Sequence, residues 1–126
     1  MASGKEKFGA FIRRKREALV PKLGLRKSAG IIGVSPTYLS KVERDEFPPP
    51  AEDKIRAIAE ILDLNVDELL ARAGKVSSEL TQMIVERPRD MAIAIRGTYS
   101  MSEEELAEHT KLMVQKMKSR KIPDIK

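Results

Sequence analysis

The sequence predicts an all-α protein, and three observations support this prediction. Apolar residues recur at spacings of three and four along most of the 126-residue chain, while the alternation typical of β-strands is scarce. Proline and glycine separate these apolar segments into lengths that suit short helices. With 41% hydrophobic residues, the chain can bury one proper core, and room remains for a small second one.

Five helices are predicted in the first 74 residues, which we interpret as one domain. Each has apolar residues on one face, and most are bounded by proline, glycine or a capping residue. The five cover about residues 5–20, 26–32, 36–44, 51–62 and 65–74. Their predicted core residues are Phe8, Phe11, Ile12, Leu19, Ala29, Ile32, Leu39, Val42, Ile55, Ile58, Ala59, Leu62, Leu69 and Leu70.

The second and third helices are joined by a tight turn. Gly33 can adopt the left-handed conformation that ends a helix, and Ser35 followed by Pro36 is typical of a helix N-terminus. Thr37, Lys41 and Arg44 then share one outward face, because they are spaced by four and three residues. The segment therefore predicts a helix-turn-helix whose second helix presents a polar, basic face.

Residues 77–121 predict a second, helical module of about three helices, followed by a flexible tail over residues 122–126. The first helix stops before Pro88, and the second is short, around Met91 to Ile95, and ends at Gly97. Ser102 and Glu105 form a capping box for the last. We expect the apolar residues of this module to form an oligomer interface, and they include Leu80, Met83, Ile84, Met91, Leu106, Met113 and Met117. A small core and an adaptable ligand pocket are the other uses considered for the methionines.

Charge is distributed unevenly along the chain. Residues 1–44 contain eleven Lys and Arg against three acids, a net charge of +8, whereas residues 45–126 have a net charge of −3. No acidic residue occurs from Ala18 to Val42. The N-terminal part is therefore suited to a polyanion.

Several function classes are disfavoured by composition. The chain has no cysteine and a single histidine, His109, so cysteine-based and multi-histidine metal sites are excluded. No set of residues resembles a nucleophile with its base, and we predict neither an enzyme nor a cofactor. No apolar run approaches the roughly 18 residues of a membrane span, and the charged residues 1–16 are unlike a signal peptide. We expect a soluble, intracellular protein.

Residues 8–74 resemble the Cro/repressor-type helix-turn-helix domain of the XRE family of bacterial and phage regulators. Five blocks carry the resemblance in the family's order: IRRKR (12–16), AGIIGVS (29–35), YLSKVE (38–43), IRAIAEIL (55–62) and VDELL (66–70). The resemblance implies a five-helix, repressor-like fold that binds double-stranded DNA in the bacterial cytoplasm, at the nucleoid.

The resemblance also implies roles for particular residues. Base-facing positions are those of Pro36, Thr37 and Lys41, with Ser40 and Arg44 near them. The implied phosphate contacts come from Arg13, Arg14, Arg26, Lys27, Ser35 and Tyr38. Arg16 and Glu43 correspond to a structural ion pair. The chain departs from the family at Ser28, where a leucine is usually buried, and at Asp45 and Glu46, in a loop that normally approaches phosphate. We therefore expect this loop to turn away from DNA or to contact protein.

Three functions agree with these features. The first is a sequence-specific regulator, a repressor acting as a homodimer on a palindromic operator. The second is an antitoxin or a protease-controlled repressor whose C-terminal helices bind a partner protein. The third is a protein-interaction domain that no longer binds DNA.

Overall fold

The computed structural model describes residues 6–121, and the flexible tail predicted over residues 122–126 lies outside them. The described part of the chain contains helices and no strands, which confirms the all-α prediction. In order, the helices are α1 (Phe8–Glu17), α2 (Leu25–Ile32), α3 (Pro36–Glu43), α4 (Glu52–Leu62), α5 (Val66–Arg72), α6 (Ser78–Glu86), α7 (Pro88–Tyr99) and α8 (Glu103–Ser119). The chain divides into an N-terminal unit that ends at Ser78 and a C-terminal unit that begins at Glu79.

The core of the N-terminal unit lies among α1 to α5. Helix α4 packs against α1, α2 and α5, and α3 packs against α1 and α2. The buried apolar side chains come from all five helices, with Ile55 and Ala59 of α4 fully covered. Every core residue predicted from the sequence is buried except Leu19, which lies beyond the end of α1 and only packs against the core's edge. Helix α1 is shorter than predicted, because Ala18 already caps it.

The turn between α2 and α3 has the predicted geometry. Gly33 adopts a left-handed conformation with φ of +89°, and its N–H donates to the carbonyl of Ala29. Ser35 caps α3, because its hydroxyl accepts a hydrogen bond of 3.0 Å from the N–H of Tyr38. Pro36 occupies the first turn, where its missing N–H costs nothing. Together these residues fix where α3 begins and which way it points.

Gly9 is the point of closest approach between α1 and the loop after α3. A side chain at this position would collide with the carbonyl of Val42 and with the Asp45 carboxylate. Asp45 instead accepts hydrogen bonds from the N–H groups of Gly9, at 2.7 Å, and Ala10, at 3.1 Å. Its negative charge therefore stabilises the N-terminus of α1. From the sequence, we expected this loop either to turn away from DNA or to contact protein. It contacts protein, through Asp45.

The helices of the C-terminal unit have no fully buried residue. The predicted capping box of α8 is present, since Ser102 and Glu105 exchange hydrogen bonds of 2.9 and 3.1 Å. A core within this module, one of the uses considered for its methionines, is thus absent from the described residues of a single chain.

The prediction that Gly97 ends the second helix of this unit is wrong. Helix α7 continues through Gly97 to Tyr99. A glycine inside a helix costs only about 1 kcal/mol relative to alanine, so it does not force an end. The Ser100 hydroxyl donates to the Gly97 carbonyl at 2.7 Å, at the place where α7 does end.

Candidate nucleic-acid interface

The outward face of α3 carries the residues predicted to read bases. Thr37 and Arg44 are exposed, whereas Pro36, Ser40 and Lys41 are half-buried at the edges of the face. Leu39 and Val42 point into the core on the opposite side. The structure therefore brings together two short hydroxyl side chains and two long cations on a helix of eight residues and its C-cap.

Lys41 is positioned by an aromatic residue that the sequence reasoning missed. Its Nζ lies 5.4 Å from the centre of the Phe47 ring, and the Tyr38 ring lies 5.7 Å from the same ring. A cation over an aromatic face gains about 0.5–1 kcal/mol at an exposed site. Phe47 is itself 40% exposed. The only sequence signal was an aromatic residue directly before the proline run, in a chain that has few aromatics.

Arg16 and Glu43 form the ion pair between α1 and α3 that the resemblance implied. Two nitrogens of Arg16 donate to the two Glu43 oxygens at 2.7 and 2.8 Å, and a third donates to the Leu23 carbonyl at 3.1 Å. The hydrogen bond to Glu43 raises the pKa of Arg16 above its ordinary value. Since the Glu43 side chain is only 5% exposed, removal of either partner would leave a buried charge unpaired. The pair fixes α3 relative to α1.

Three arginines line a groove of about 460 Å³ beside α3. They are Arg13 and Arg14 of α1 and Arg44 at the end of α3. Glu17, Glu43 and Asp45 line the same groove, so the arginines lie beside carboxylates there. The arginines can contact the phosphates that flank a base-reading helix if those phosphates take the place of the carboxylates.

Each of these arginines is held by a carboxylate, which the sequence did not suggest. Arg13 donates to Glu17 at 3.2 Å, Arg14 to both oxygens of Glu6 at 2.9 Å, and Arg44 to Glu46 at 2.8 Å. The hydrogen bond from Arg14 lowers the pKa of Glu6. Exposed pairs of this kind contribute little to stability, because water screens them. A phosphate can therefore replace the carboxylate at little cost.

The remaining predicted phosphate contacts lie at two helix N-termini. Arg26 and Lys27 are exposed in the first turn of α2, and neither forms an ion pair with another described residue. The N-cap of α2 is Gly24, which provides no side-chain cap, so the first amides of α2 remain available. Ser35 and Tyr38 stand at the start of α3.

The residues predicted to form an oligomer interface are solvent-accessible in the C-terminal unit. Met91 and Met117 are half-buried, and the others are exposed by 36–46%. That second group comprises Leu80, Met83, Ile84, Leu106 and Met113. No helix in the described part of the chain has the length and apolar character needed to cross a membrane.

Comparison with protein families agrees with this geometry. Residues 12–69 match the family described as helix-turn-helix, a span from the middle of α1 into α5. This segment is therefore similar to helix-turn-helix domains, in agreement with the resemblance seen in the sequence. The match supports a DNA-binding transcriptional regulator as the class of protein. No curated protein and no solved structure matches the chain.

Proposed function

We propose that the protein is a repressor that binds a palindromic operator as a homodimer, in the bacterial cytoplasm at the nucleoid. The observation that carries this proposal is the exposed face of α3, held in place by the Gly33 turn and the Arg16–Glu43 pair. A helix of this size fits the major groove, which is about 12 Å wide. The resemblance to Cro/repressor domains supports repression over activation.

Base reading is assigned to α3. Lys41 donates to the O6 and N7 acceptors of guanine, and the Thr37 methyl or hydroxyl meets a thymine methyl or a base edge. Pro36, Ser40 and Arg44 border these contacts. The Phe47 ring restricts the directions that the Lys41 chain can take. Reduced freedom before binding lowers the entropic cost of the contact.

Phosphate binding is assigned to the groove and to the two helix N-termini. Arg13 and Arg14 exchange their carboxylate partners for phosphate, while Arg26, Lys27, Ser35 and Tyr38 contact the backbone directly. These contacts position the domain without selecting sequence. About five neutralised phosphates per subunit give a slope of log affinity against log salt near −4 to −5.

The homodimer follows from the size of one recognition helix and is supported by the exposed C-terminal helices. One helix specifies about four or five base pairs, too few for a unique site in a genome. Two copies related by a two-fold axis read two half-sites about one helical turn apart. Exposed apolar side chains such as Leu80, Met83 and Leu106 offer the surface that joins the copies.

Selection of bound sites from random duplexes tests the proposal, because it reports binding, half-site spacing and symmetry together. We expect an inverted repeat. Lys41→Ala should then weaken binding to the selected site about tenfold or more, with little change on random DNA, as a good base contact contributes about 1–3 kcal/mol. Arg14→Ala should weaken both equally and flatten the salt slope by about one.

Three outcomes would contradict this account. If neither variant changes DNA affinity, the domain is a protein-interaction module. If the selected sites lack two-fold symmetry and the chain stays monomeric on them, the homodimer is wrong. If the C-terminal helices capture an antitoxin's toxin or a regulatory protease rather than a second copy, the partner-controlled alternative replaces it.

A further inference from the structure

Helix α8 carries opposite charges in its two halves. Its N-terminal half contains four glutamates and no cation, namely Glu103, Glu104, Glu105 and Glu108. From Lys111 onward, the helix and the two residues after it contain five cations and no acid, namely Lys111, Lys116, Lys118, Arg120 and Lys121. None of these nine residues forms an ion pair with another described residue.

An apolar row follows one side of the same helix. Leu106, Thr110, Met113 and Met117 are spaced by four, three and four residues, the repeat of a two-helix seam. Leu106 is 39% exposed and Met113 is 42% exposed. Met117 is half-buried, and no residue of α8 is fully covered. The row therefore lacks a packing partner within the described chain that would bury it.

We infer that α8 pairs in antiparallel orientation with α8 of a second copy of the chain. This inference rests on the proposed homodimer and specifies which helix forms the seam and in which direction. The row is symmetric about its midpoint, between Lys111 and Leu112. Leu106 then lies opposite Met117 of the partner subunit, and Thr110 lies opposite the partner's Met113.

The charges decide the direction. Antiparallel pairing places the glutamate half of each helix beside the cationic half of the other and brings Glu103 close to Arg120 of the partner subunit. Parallel pairing would set four glutamates beside four glutamates and five cations beside five cations, which is repulsive. A surface that is complementary to itself under a two-fold rotation is the signature of an interface between identical subunits.

Disulfide formation tests the direction, since the natural chain has no cysteine. Leu106→Cys and Met117→Cys are made singly and together in the full-length protein. Positions 106 and 117 are about 16 Å apart along a helix, and a disulfide needs Cα atoms within about 7 Å. We expect the double variant to form covalent dimers on mild oxidation and each single variant to form none. The control is Leu112→Cys, which points away from the seam and should not crosslink.

A second pair of cysteine substitutions tests the same direction without removing an apolar residue from the seam. Glu103→Cys and Arg120→Cys replace exposed residues at the two ends of the seam, and the same result is expected: only the double variant crosslinks. Far-UV circular dichroism checks that every variant keeps its helices.

The outcomes separate this inference from the homodimer on which it rests. Crosslinked single variants would show a parallel seam, and a dimer that crosslinks in no variant would show that another surface joins the copies. Either result overturns the inference and leaves the homodimer standing. If the unmodified chain sediments as a monomer at micromolar concentration, alone and on its operator, both the antiparallel α8 seam and the homodimer are wrong.

Discussion

The two units of this chain are both helical, but one covers its large apolar residues and the other exposes them. The N-terminal unit covers apolar residues from five short helices, among them Ile12, Ile55 and Leu69. The C-terminal unit contains the two longest described helices, α7 and α8, and exposes its large apolar residues, among them Ile93 and Met113. Helix length and capping are therefore insufficient for a core: most helical stability in proteins comes from packing of an apolar face.

This difference assigns the two units different roles. A unit with its own core can hold α3 rigid enough to present Thr37 and Lys41 to a groove. If the proposed homodimer covers the unit without a core, the folding of that unit is linked to association. Four comparisons between variants or between units test this contrast, from the largest expected effect to the smallest.

The core prediction compares two isoleucines of the N-terminal unit. Ile55→Ala should lower the free energy of unfolding by about 2–5 kcal/mol, because a fully buried side chain is removed and a cavity remains. Ile31→Ala, at a position 56% exposed, should change it by less than about 0.5 kcal/mol. Urea denaturation measures both. Equal effects would mean that α4 does not form the centre of a core.

The glycine prediction compares positions in the two units. Gly9→Ala should destabilise the N-terminal unit by about 1–3 kcal/mol, because the new methyl group meets the Val42 carbonyl and the Asp45 carboxylate. Gly97→Ala in α7 has open space around it and should be neutral or stabilising by up to about 1 kcal/mol. Gly30→Ala in α2 also has open space and serves as the control within the N-terminal unit. A tolerated Gly9→Ala variant would argue against close packing of α1 on the loop.

The dilution prediction concerns whether the stability of the helices in each unit depends on protein concentration. If α6 to α8 fold only in the dimer, a hundredfold dilution should lower their hydrogen-exchange protection about tenfold, or about 1.4 kcal/mol. Protection of α1 to α5 should stay unchanged, because their core lies within one chain. Hydrogen exchange measured by mass spectrometry distinguishes the protection of α6 to α8 from that of α1 to α5. If the protection of α6 to α8 does not change with protein concentration, the C-terminal unit is stable alone.

The serine prediction compares a buried hydroxyl with a capping one. Ser28 is 2% exposed and its Oγ has no hydrogen-bond partner, so Ser28→Ala should raise the free energy of unfolding by about 1 kcal/mol. Ser102→Ala should lower the stability of α8 by about 1 kcal/mol through loss of the cap. Thermal and urea denaturation report both. A destabilising Ser28→Ala would mean that a bound water satisfies the hydroxyl, next to the cavity of about 10 Å³ that Ser28 lines.

Sequence reasoning anticipated the features that depend on local pattern. The left-handed Gly33, the Ser35 cap and the capping box at Ser102 all follow from residues close to one another in the chain. It failed at Gly97, because a single glycine weakens a helix without ending it. The assignment of individual residues to bases and phosphates remains a proposal.

By itself, the sequence determined that the chain is helical, that its N-terminal part contains a helix-turn-helix and that positive charge concentrates there. These properties follow from periodicity, capping residues and composition, which are local. Only the tertiary structure decided that Asp45 turns toward Gly9 and that no residue of α6 to α8 is buried. Each of these depends on whether another part of the chain comes close, and an apolar face has the same pattern whether or not anything covers it.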